Sequence, residues 1–182
     1  SLASAYSRMG KKTLLIDLDP QANATTGCLD SPQTSIKDFF DGSTSLDDVI
    51  QTVPEGFDLA PSSYDVTASE VLLMRSSARE KALLNGIDGL STQYDMILID
   101  CSPSLNILTM NALVVAKNVL IPIQCEYYAL EGLAKLLKTI ETTQRSLNLN
   151  KHQLLLLRTM YDGRNRLAVD VSQELTEHFG PA

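Results

Sequence analysis

Short apolar runs that end in polar or acidic residues constrain the fold of this chain more than any other feature. The clearest are Thr13–Asp17, Met96–Asp100 and Val119–Gln124. Their apolarity is continuous rather than alternating, which is typical of strands that are buried on both faces of a helix-covered parallel sheet. Residues 154–157 and 57–60 form weaker runs and are further candidate strands.

Helical periodicity fills the stretches between these runs. Helices are predicted over residues 2–9, 66–84, 104–116, 130–147 and 167–178. Because strands and helices alternate, we predict an α/β fold with a mostly parallel sheet, right-handed crossovers and helices on both faces. The stretch 28–61, which contains Gly42, Pro54 and Gly56, is predicted to be the most loop-rich part of the chain.

The length of 182 residues predicts a single domain over residues 1–182. The chain opens inside one helical pattern and closes just after another, so we interpret it as a fragment truncated at both ends. A net charge of −7 argues against a strongly basic nucleic-acid surface, although contact through a local patch stays open.

The cysteines and the hydropathy pattern exclude other classes of protein. Cys28, Cys101 and Cys125 are far apart and form no C-x-x-C pair, so neither a zinc knuckle nor a disulfide framework is indicated. This pattern fits a reducing cytosol. No apolar run approaches the ~18 residues of a membrane span.

Acidic residues follow the first two apolar runs, where ligands bind in open parallel sheets. Asp17, Asp19 and Asp100 are therefore expected to converge at one sheet edge. Clustered carboxylates repel one another unless a cation compensates, and Mg²⁺ is usually held by one or two carboxylates together with substrate phosphates. We therefore predict a phosphate ligand with Mg²⁺. For each aspartate, simple capping of the following loop or helix stays an alternative.

Asp100, placed after four apolar residues, fits the Walker B pattern of an acid presented to a magnesium ion. The usual partner of that pattern is a phosphate-binding loop of the form G-x-x-x-x-G-K-[ST]. That motif does not occur in the 182 residues.

Four blocks of sequence resemble one known family. Residues 10–27 (GKKTLLIDLDPQANATTG) are similar to the segment that follows the deviant Walker A loop of ParA/Soj chromosome and plasmid partition ATPases. Residues 94–105 resemble the Walker B and second switch of that family, 124–133 (QCEYYALEGL) its next strand-to-helix junction, and 158–167 (RTMYDGRNRL) its late strand and loop. The blocks run in the family's order over most of the chain.

The resemblance implies a P-loop NTPase fold of the deviant Walker A type, here without its first strand and P-loop, so we expect this chain to be inactive by itself. For the full-length protein it implies binding of ATP and Mg²⁺, a homodimer formed over nucleotide, and non-specific DNA binding. It also implies hydrolysis stimulated by a ParB-type centromere-binding partner. We expect a cytoplasmic, nucleoid-associated protein without a membrane partner.

The resemblance also assigns site residues. Asp19 matches the first-switch acid that helps to place the attacking water, and Asp100 matches the Walker B acid; both are predicted magnesium ligands. Asp17 matches the acid beside Asp19 on the strand and is assigned to cofactor binding. The nucleotide base pocket is assigned to Thr159, Met160 and Tyr161.

The chain departs from the family pattern in the second switch. Ser102 stands where the family often has a second proline, and Asn106 where glycine is frequent. These exchanges are expected to alter how the loop rearranges, because glycine tolerates positive φ at little cost. Cys101 is interpreted as a small buried residue rather than a nucleophile, and the Tyr127–Tyr128 pair is expected to pack rather than to stack on a ligand.

Two alternatives stay open. One is a MinD-like division-site ATPase, which would carry a C-terminal amphipathic membrane helix; the QCEYYALEGL block favours partition. The other, from a different class, is a non-enzymatic phospho-signalling domain of the receiver type with Asp100 as acceptor. Receivers need a lysine after a late strand, whereas the late runs here end in Gln124 and Thr159.

Overall fold

The computed structural model describes residues 2–76, 78–104, 106–126 and 129–180, apart from the side chain of His178. The Tyr127–Tyr128 pair, expected to pack, lies outside these residues. The chain divides into two compact units, which we call unit 1, ending at Val115, and unit 2, beginning at Ala116. The single domain over residues 1–182 stays a prediction.

Unit 1 is built on a four-stranded sheet of β1 (Thr13–Asp17), β2 (Gln51–Thr52), β3 (Asp58–Ala60) and β4 (Met96–Asp100). Their spatial order is β2, β3, β1, β4. β1 pairs in parallel with both β3 and β4, and β2 runs antiparallel to β3. In the register of β1 with β4, the first and last residues of the two strands lie opposite each other.

Helices cover both faces of this sheet. They are α1 (Leu2–Arg8), α2 (Asn23–Thr26), α3 (Ile36–Phe40), α4 (Leu46–Val49), α5 (Val66–Leu73), α6 (Ala82–Asp88) and α7 (Ile107–Val115). Successive side chains of a strand point to opposite faces. Leu14 and Ile16 accordingly pack in a core with residues of α3 to α7, whereas Leu15 packs in a second core with Ala3 of α1. All five residues of β1 are buried.

As predicted, residues 28–61 are rich in loops, although the short elements α3, α4, β2 and β3 also lie there. Both helices begin with a capping box, in which a serine side chain and an acid three residues later satisfy the first backbone amides. The pairs are Ser35 with Asp38 and Ser45 with Asp48. This S-x-x-D spacing is visible in the sequence and predicts both starts.

The continuous helix predicted over residues 66–84 is interrupted. α5 ends at Leu73, and a short 3₁₀ helix, Arg79–Lys81, precedes α6. The Asn111 side chain of α7 accepts a hydrogen bond from the Leu83 amide (3.0 Å) and donates one to the Arg79 carbonyl (2.7 Å). In an uninterrupted helix these two backbone groups would bond to each other. The Asn111 side chain therefore replaces the direct hydrogen bond between the Leu83 amide and the Arg79 carbonyl.

Unit 2 consists of β5 (Asn118–Gln124), β6 (Gln153–Thr159), α8 (Ala129–Ser146) and α9 (Arg166–Phe179). The two strands are parallel and in register along their whole length. Ile121 and Ile123 of β5 pack with residues of α8 and α9. The Arg158 guanidinium of β6 donates a hydrogen bond to the Ser172 hydroxyl of α9. One face of this small sheet is thus covered by helices.

The opposite face of the unit 2 sheet is apolar and exposed. Leu120, Leu155 and Leu157 each leave more than two fifths of their surface accessible. The expectation that every apolar run is buried on both faces therefore holds for β1 and is wrong for β5 and β6. The α/β class and the mostly parallel strand pairing are confirmed. None of the helices in the described ranges has the length and apolarity of a membrane span.

Candidate functional site

The carboxyl ends of β1 and β4 bring the predicted acids to one edge of the unit 1 sheet. Asp17 and Asp100 lie directly opposite each other in the parallel register. The Leu18 amide donates to the Asp100 carbonyl over 2.8 Å, so the pairing extends one residue beyond β1. Asp19 follows immediately. The backbone thus places the Asp17–Asp19 segment and Asp100 at adjacent strand ends, and the convergence expected from the sequence is confirmed.

Asp17 is fully buried, and donors of the chain itself surround its carboxylate. Thr25 donates to Oδ2 from both its amide (2.9 Å) and its hydroxyl (2.7 Å), and the Asp19 amide donates to Oδ1 over 3.1 Å. Burial raises the pKa of Asp17, while the hydrogen bonds from Thr25 oppose that rise. The side chain anchors the loop after β1 and has no exposed surface for a ligand.

Asp19 lies partly exposed at the start of that loop. Its Oδ1 accepts from the Gln21 amide (3.0 Å), and its carbonyl accepts from the Ala22 amide (2.9 Å), which closes a tight turn. Ala22 adopts a left-handed conformation with φ of 51°. A non-glycine residue with positive φ is uncommon and marks a backbone that its surroundings hold in place. The turn therefore presents Asp19 at a defined position.

Asp100 is the exposed acid of the group. Partial burial raises the pKa of its carboxyl, and the negative charges of Asp17 and Asp19 raise it further. Like charges at one strand edge favour a cation or a shared proton. Oxygen donors of this kind match the preference of Mg²⁺, and one or two carboxylates are the usual protein contribution. The acids at this edge therefore fit a magnesium ion that also contacts a ligand.

The three aspartates do not form a self-sufficient metal centre. Among the described residues, no group of three or more histidine, cysteine, aspartate or glutamate side chains is arranged to hold a metal ion. The cause is visible at Asp17, whose oxygens face Thr25 and the Asp19 amide. Asp19 and Asp100 are then the two carboxylates left for a cation, and the remaining ligands would have to come from the substrate.

Cys101, which follows Asp100, is unsuited to nucleophilic chemistry. Burial of its thiol, reinforced by the negative charges of Asp100, Asp17 and Asp19, raises its pKa to about 12. Because the thiolate is the reactive form, almost none is present near neutral pH. The structure thus supports the interpretation of Cys101 as a small packing residue.

The residues assigned to the base pocket belong to unit 2. Thr159 ends β6, and its hydroxyl donates to the Ile123 carbonyl over 3.3 Å. Met160 has a positive φ of 51° and is 85% exposed, and its sulfur accepts from the Gln124 side chain. Tyr161 is half exposed. These side chains are accessible at a strand end, and their role in binding a base stays a prediction.

Two polar links of the site were missed by the sequence reasoning. The Thr25 hydroxyl accepts from the Ser62 amide over 2.8 Å. The Asn106 amide group donates to Glu70 Oε1 over 2.7 Å, and Asn106 Oδ1 accepts from the Thr109 amide at the start of α7. The cap was not signalled either, because Asn106 falls inside the helix predicted over residues 104–116, whereas α7 begins at Ile107. The long-range partners leave no trace in local sequence.

Comparison with known proteins relates this geometry to a family. A family profile described as "AAA domain" matches residues 1–153. The sporulation initiation inhibitor protein Soj of Bacillus subtilis is 37% identical over 183 residues, which cover 98% of this chain and 72% of Soj.

Solved structures agree with this result. Cobyrinic acid a,c-diamide synthase from Mycobacterium smegmatis, with a bound ATP analogue and magnesium, superimposes with a TM-score of 0.90 at 31% identity and covers 98% of this chain and 74% of its own. A putative plasmid partition protein from Borrelia burgdorferi bound to AMPPNP superimposes with a TM-score of 0.82 at 27% identity, covering 97% and 74%.

Proposed function

Because the chain belongs to the ParA/Soj family of partitioning ATPases, we propose that the full-length protein binds Mg²⁺–ATP at the carboxyl edge of the unit 1 sheet and hydrolyses it. The observation that carries the proposal is the pairing of Asp100 with the Asp17–Asp19 segment at adjacent strand ends. The ATP analogue and magnesium bound to a protein of the same fold support it.

Asp100 and Asp19 have different roles in this proposal. Bound Mg²⁺–ATP supplies the phosphoryl group together with a cation that neutralises the charge developing during transfer. Asp100, the exposed acid, would hold the cation, and Asp19 would both contribute to that shell and orient the attacking water. Phosphoryl transfer depends mainly on positioning and charge compensation, so a defined turn at Asp19 matters more than a nucleophilic side chain. Thr159, Met160 and Tyr161 would contact the base.

Asp17 enters the proposal through the loop that it anchors. We assigned it to cofactor binding from the sequence, and its complete burial favours an indirect contribution. Holding the Asp19 amide on one oxygen and Thr25 on the other fixes the loop from its first residue to α2. Asp17 therefore supports nucleotide binding by positioning Asp19.

The partition role extends to partners. We propose an ATP-dependent homodimer, non-specific DNA binding in the ATP state, and stimulation of hydrolysis by a ParB-type protein, in a cytoplasmic, nucleoid-associated protein. The support is the similarity to chromosome-partitioning ATPases and to a plasmid partition protein. With a net charge of −7, DNA contact would rest on a local basic patch, and its affinity should fall steeply with salt.

A second candidate is an ATP-dependent amide synthase, favoured by the similarity to cobyrinic acid a,c-diamide synthase. The sequence relatives favour partition, since several chromosome-partitioning proteins reach 37–40% identity over nearly the whole chain. DNA-stimulated ATP turnover would support partition. Turnover that depends on a carboxylic acid and an ammonia donor would support amide synthesis. Membership of the family removes the receiver-type alternative.

The test uses the full-length protein expressed from its complete gene. Mg²⁺–ATP binding is measured by calorimetry, and phosphate release is measured with and without DNA. We expect Asp19→Ala to bind nucleotide and to lose about a hundredfold or more in hydrolysis. Asp100→Ala should weaken the dependence of binding on Mg²⁺. Asp30→Ala, which removes an exposed carboxyl beyond α2, is the matched control. A wild-type protein that binds no Mg²⁺–ATP would refute the proposal.

A further inference from the structure

The two loops that carry the proposed site are both bonded to one segment of unit 1. The first loop, residues 18–26, follows β1, contains Asp19 and includes the short helix α2; the second, residues 101–104 and 106, follows Asp100. Residues 61–70, which we call the bridging segment, run from the end of β3 into α5. The Ser62 amide, near its start, bonds to the first loop, and the Glu70 carboxylate, near its end, bonds to the second.

The bond to the first loop is part of a buried chain of hydrogen bonds. The Ser62 amide donates to Thr25 Oγ1 (2.8 Å), and the same hydroxyl donates to Asp17 Oδ2 (2.7 Å). All three residues are almost completely buried. A buried polar group that loses its partner pays the full cost of desolvation, so this chain resists separation. Displacement of the first loop therefore acts on Ser62.

The bond to the second loop involves a charged acceptor. Glu70 Oε1 accepts from Asn106 Nδ2 over 2.7 Å, a short distance that is typical of hydrogen bonds to a carboxylate. Asn106 also accepts from the Thr109 amide (3.0 Å) and thereby caps α7. Movement of the second loop therefore changes both the cap of α7 and the position of Glu70.

The bridging segment itself is held rigidly between these two bonds. Val66 and Ser69 of α5 are completely buried, and Val66 packs in the larger core. The Ser69 hydroxyl donates to Asp41 Oδ1 over 3.1 Å, and the Pro61 carbonyl accepts from the Ile36 amide over 2.8 Å. Closely packed elements transmit small displacements rather than absorbing them. These contacts connect Ser62 to Glu70 through packed residues of the same segment.

We propose that residues 61–70 couple the loop carrying Asp19 to the loop that follows Asp100, with Thr25, Glu70 and Asn106 as positioning residues. The consequence for ATP hydrolysis rests on the proposed function. In that context the coupling lets the two loops adopt their ligand-bound arrangement together. Coupling of this kind predicts that a change in one loop is detected in the other.

The first experiment needs no nucleotide and is independent of the proposed ATPase activity. Amide hydrogen exchange is followed by NMR in the full-length protein. We expect Asn106→Ala, in the second loop, to accelerate exchange at Thr25 and Ser62 by about tenfold. Coupling is reciprocal, so Thr25→Val should accelerate exchange at Thr109. Glu70→Ala should act on both loops, and Glu70→Gln, which keeps an acceptor oxygen, should restore most protection.

Two variants serve as controls. Ser62→Ala removes a buried hydroxyl that makes no hydrogen bond in the described residues but leaves the amide bond to Thr25, so both loops should keep their protection. Glu141→Ala removes a carboxylate from an exposed pair with Arg145 on α8. If Asn106→Ala speeds exchange only around its own loop and α7, leaving Thr25 and Ser62 unchanged, the coupling does not exist.

The second experiment measures the effect of the coupling between the two loops on ATP hydrolysis. Glu70→Ala and Asn106→Ala should each lower kcat by about tenfold with little change in KM, since neither removes a proposed ligand contact. The double variant should be no worse than the poorer single variant, because both remove the same link. Additive losses would contradict the proposal. Should the wild-type protein hydrolyse no ATP, the proposed function fails, and hydrogen exchange alone decides the coupling.

Discussion

β1 of unit 1 and β6 of unit 2 are both continuous apolar strands, yet their surroundings differ. All five residues of β1 are buried, with Leu14 and Leu15 in cores on opposite faces. Leu155 and Leu157 of β6 remain 43% and 44% exposed. In the described parts of the chain, helices cover both faces of the first sheet, whereas on the second sheet they pack against the face of Ile121 and Ile123. A continuous apolar run thus indicates that a strand can be buried. Which of its faces is buried depends on the helices that pack against the sheet.

The largest expected effect comes from matched leucine truncations in the two sheets. Leu14→Ala in β1 should cost about 2–5 kcal/mol of unfolding free energy, because it opens a cavity in a closed core. Leu155→Ala in β6 should cost less than about 1 kcal/mol, because the side chain already contacts solvent. The measurement is the urea midpoint at unchanged slope. Equal losses would mean that the second face is covered in solution.

Buried polar groups give the next contrast. Asn111→Ala in unit 1 leaves the buried Leu83 amide without its partner, at about 1–3 kcal/mol, and removes the donor to the partly buried Arg79 carbonyl. Ser172→Ala in unit 2 should cost less than about 1 kcal/mol, since its donor, Arg158, is exposed and water can replace the hydroxyl. Denaturation curves of both variants test this order. If Asn111→Ala did not change the stability, the Leu83 amide and the Arg79 carbonyl would have found other partners without the asparagine.

The pH dependence of stability should have opposite signs in the two units. Burial raises the pKa of Asp17 above the ordinary 3.8, so the folded chain keeps this proton where the unfolded chain has lost it. That contribution makes the fold less stable as the pH rises from 3.8 through the raised value. The hydrogen bond from Arg164 lowers the pKa of Asp162, whose contribution is present above 3.8 and is lost as the pH falls through the lowered value.

Asparagine substitutions separate these two contributions. The stability advantage of wild type over Asp17→Asn should shrink as the pH rises, whereas its advantage over Asp162→Asn should grow. Denaturation from about pH 3 to about pH 7 measures both trends. Parallel trends for the two variants would contradict the assignment of the Asp17 shift to burial.

The smallest effect is expected on the exposed face of α8. Glu141→Ala removes an ion pair with Arg145 in which both side chains are more than half exposed. Exposed pairs of this kind contribute less than about 0.5 kcal/mol. The melting temperature should therefore stay close to that of wild type. A larger loss would indicate that this face of unit 2 contacts another surface in solution.

Local sequence patterns predicted most elements of the fold. The strands at 13–17 and 96–100 have the predicted bounds, and α8 and α9 begin and end within one residue of their predictions. The two short helices inside the loop-rich stretch 28–61 were not predicted, because α3 and α4 are only five and four residues long, too short for periodicity. The junction between the 3₁₀ helix and α6 was missed because it bonds to Asn111, a partner that lies 28 residues beyond Leu83.

The candidate site could be predicted in position but not in detail. Acids at the ends of Thr13–Asp17 and Met96–Asp100 must meet at one edge once the two strands pair in parallel. Which acid faces solvent does not follow from that pattern. Asp17 is buried because Thr25 folds back over it, and Asp100 stays exposed at the edge strand of the sheet. The two paired strand ends therefore hold one anchoring residue, Asp17, and one accessible residue, Asp100.

By itself the sequence determined the α/β class, the parallel pairing suited to its apolar runs, the edge at which the acids meet and the family to which the chain belongs. These properties depend on residues that are close in the chain or on blocks of similar sequence. Only the tertiary structure decided that Asp17 is buried, that one face of β5 and β6 is open, and that residues 61–70 bond to both loops. The bonds from Ser62 to Thr25 and from Asn106 to Glu70 span 37 and 36 residues. Contacts over such separations arise only when the packed layers bring their partners together.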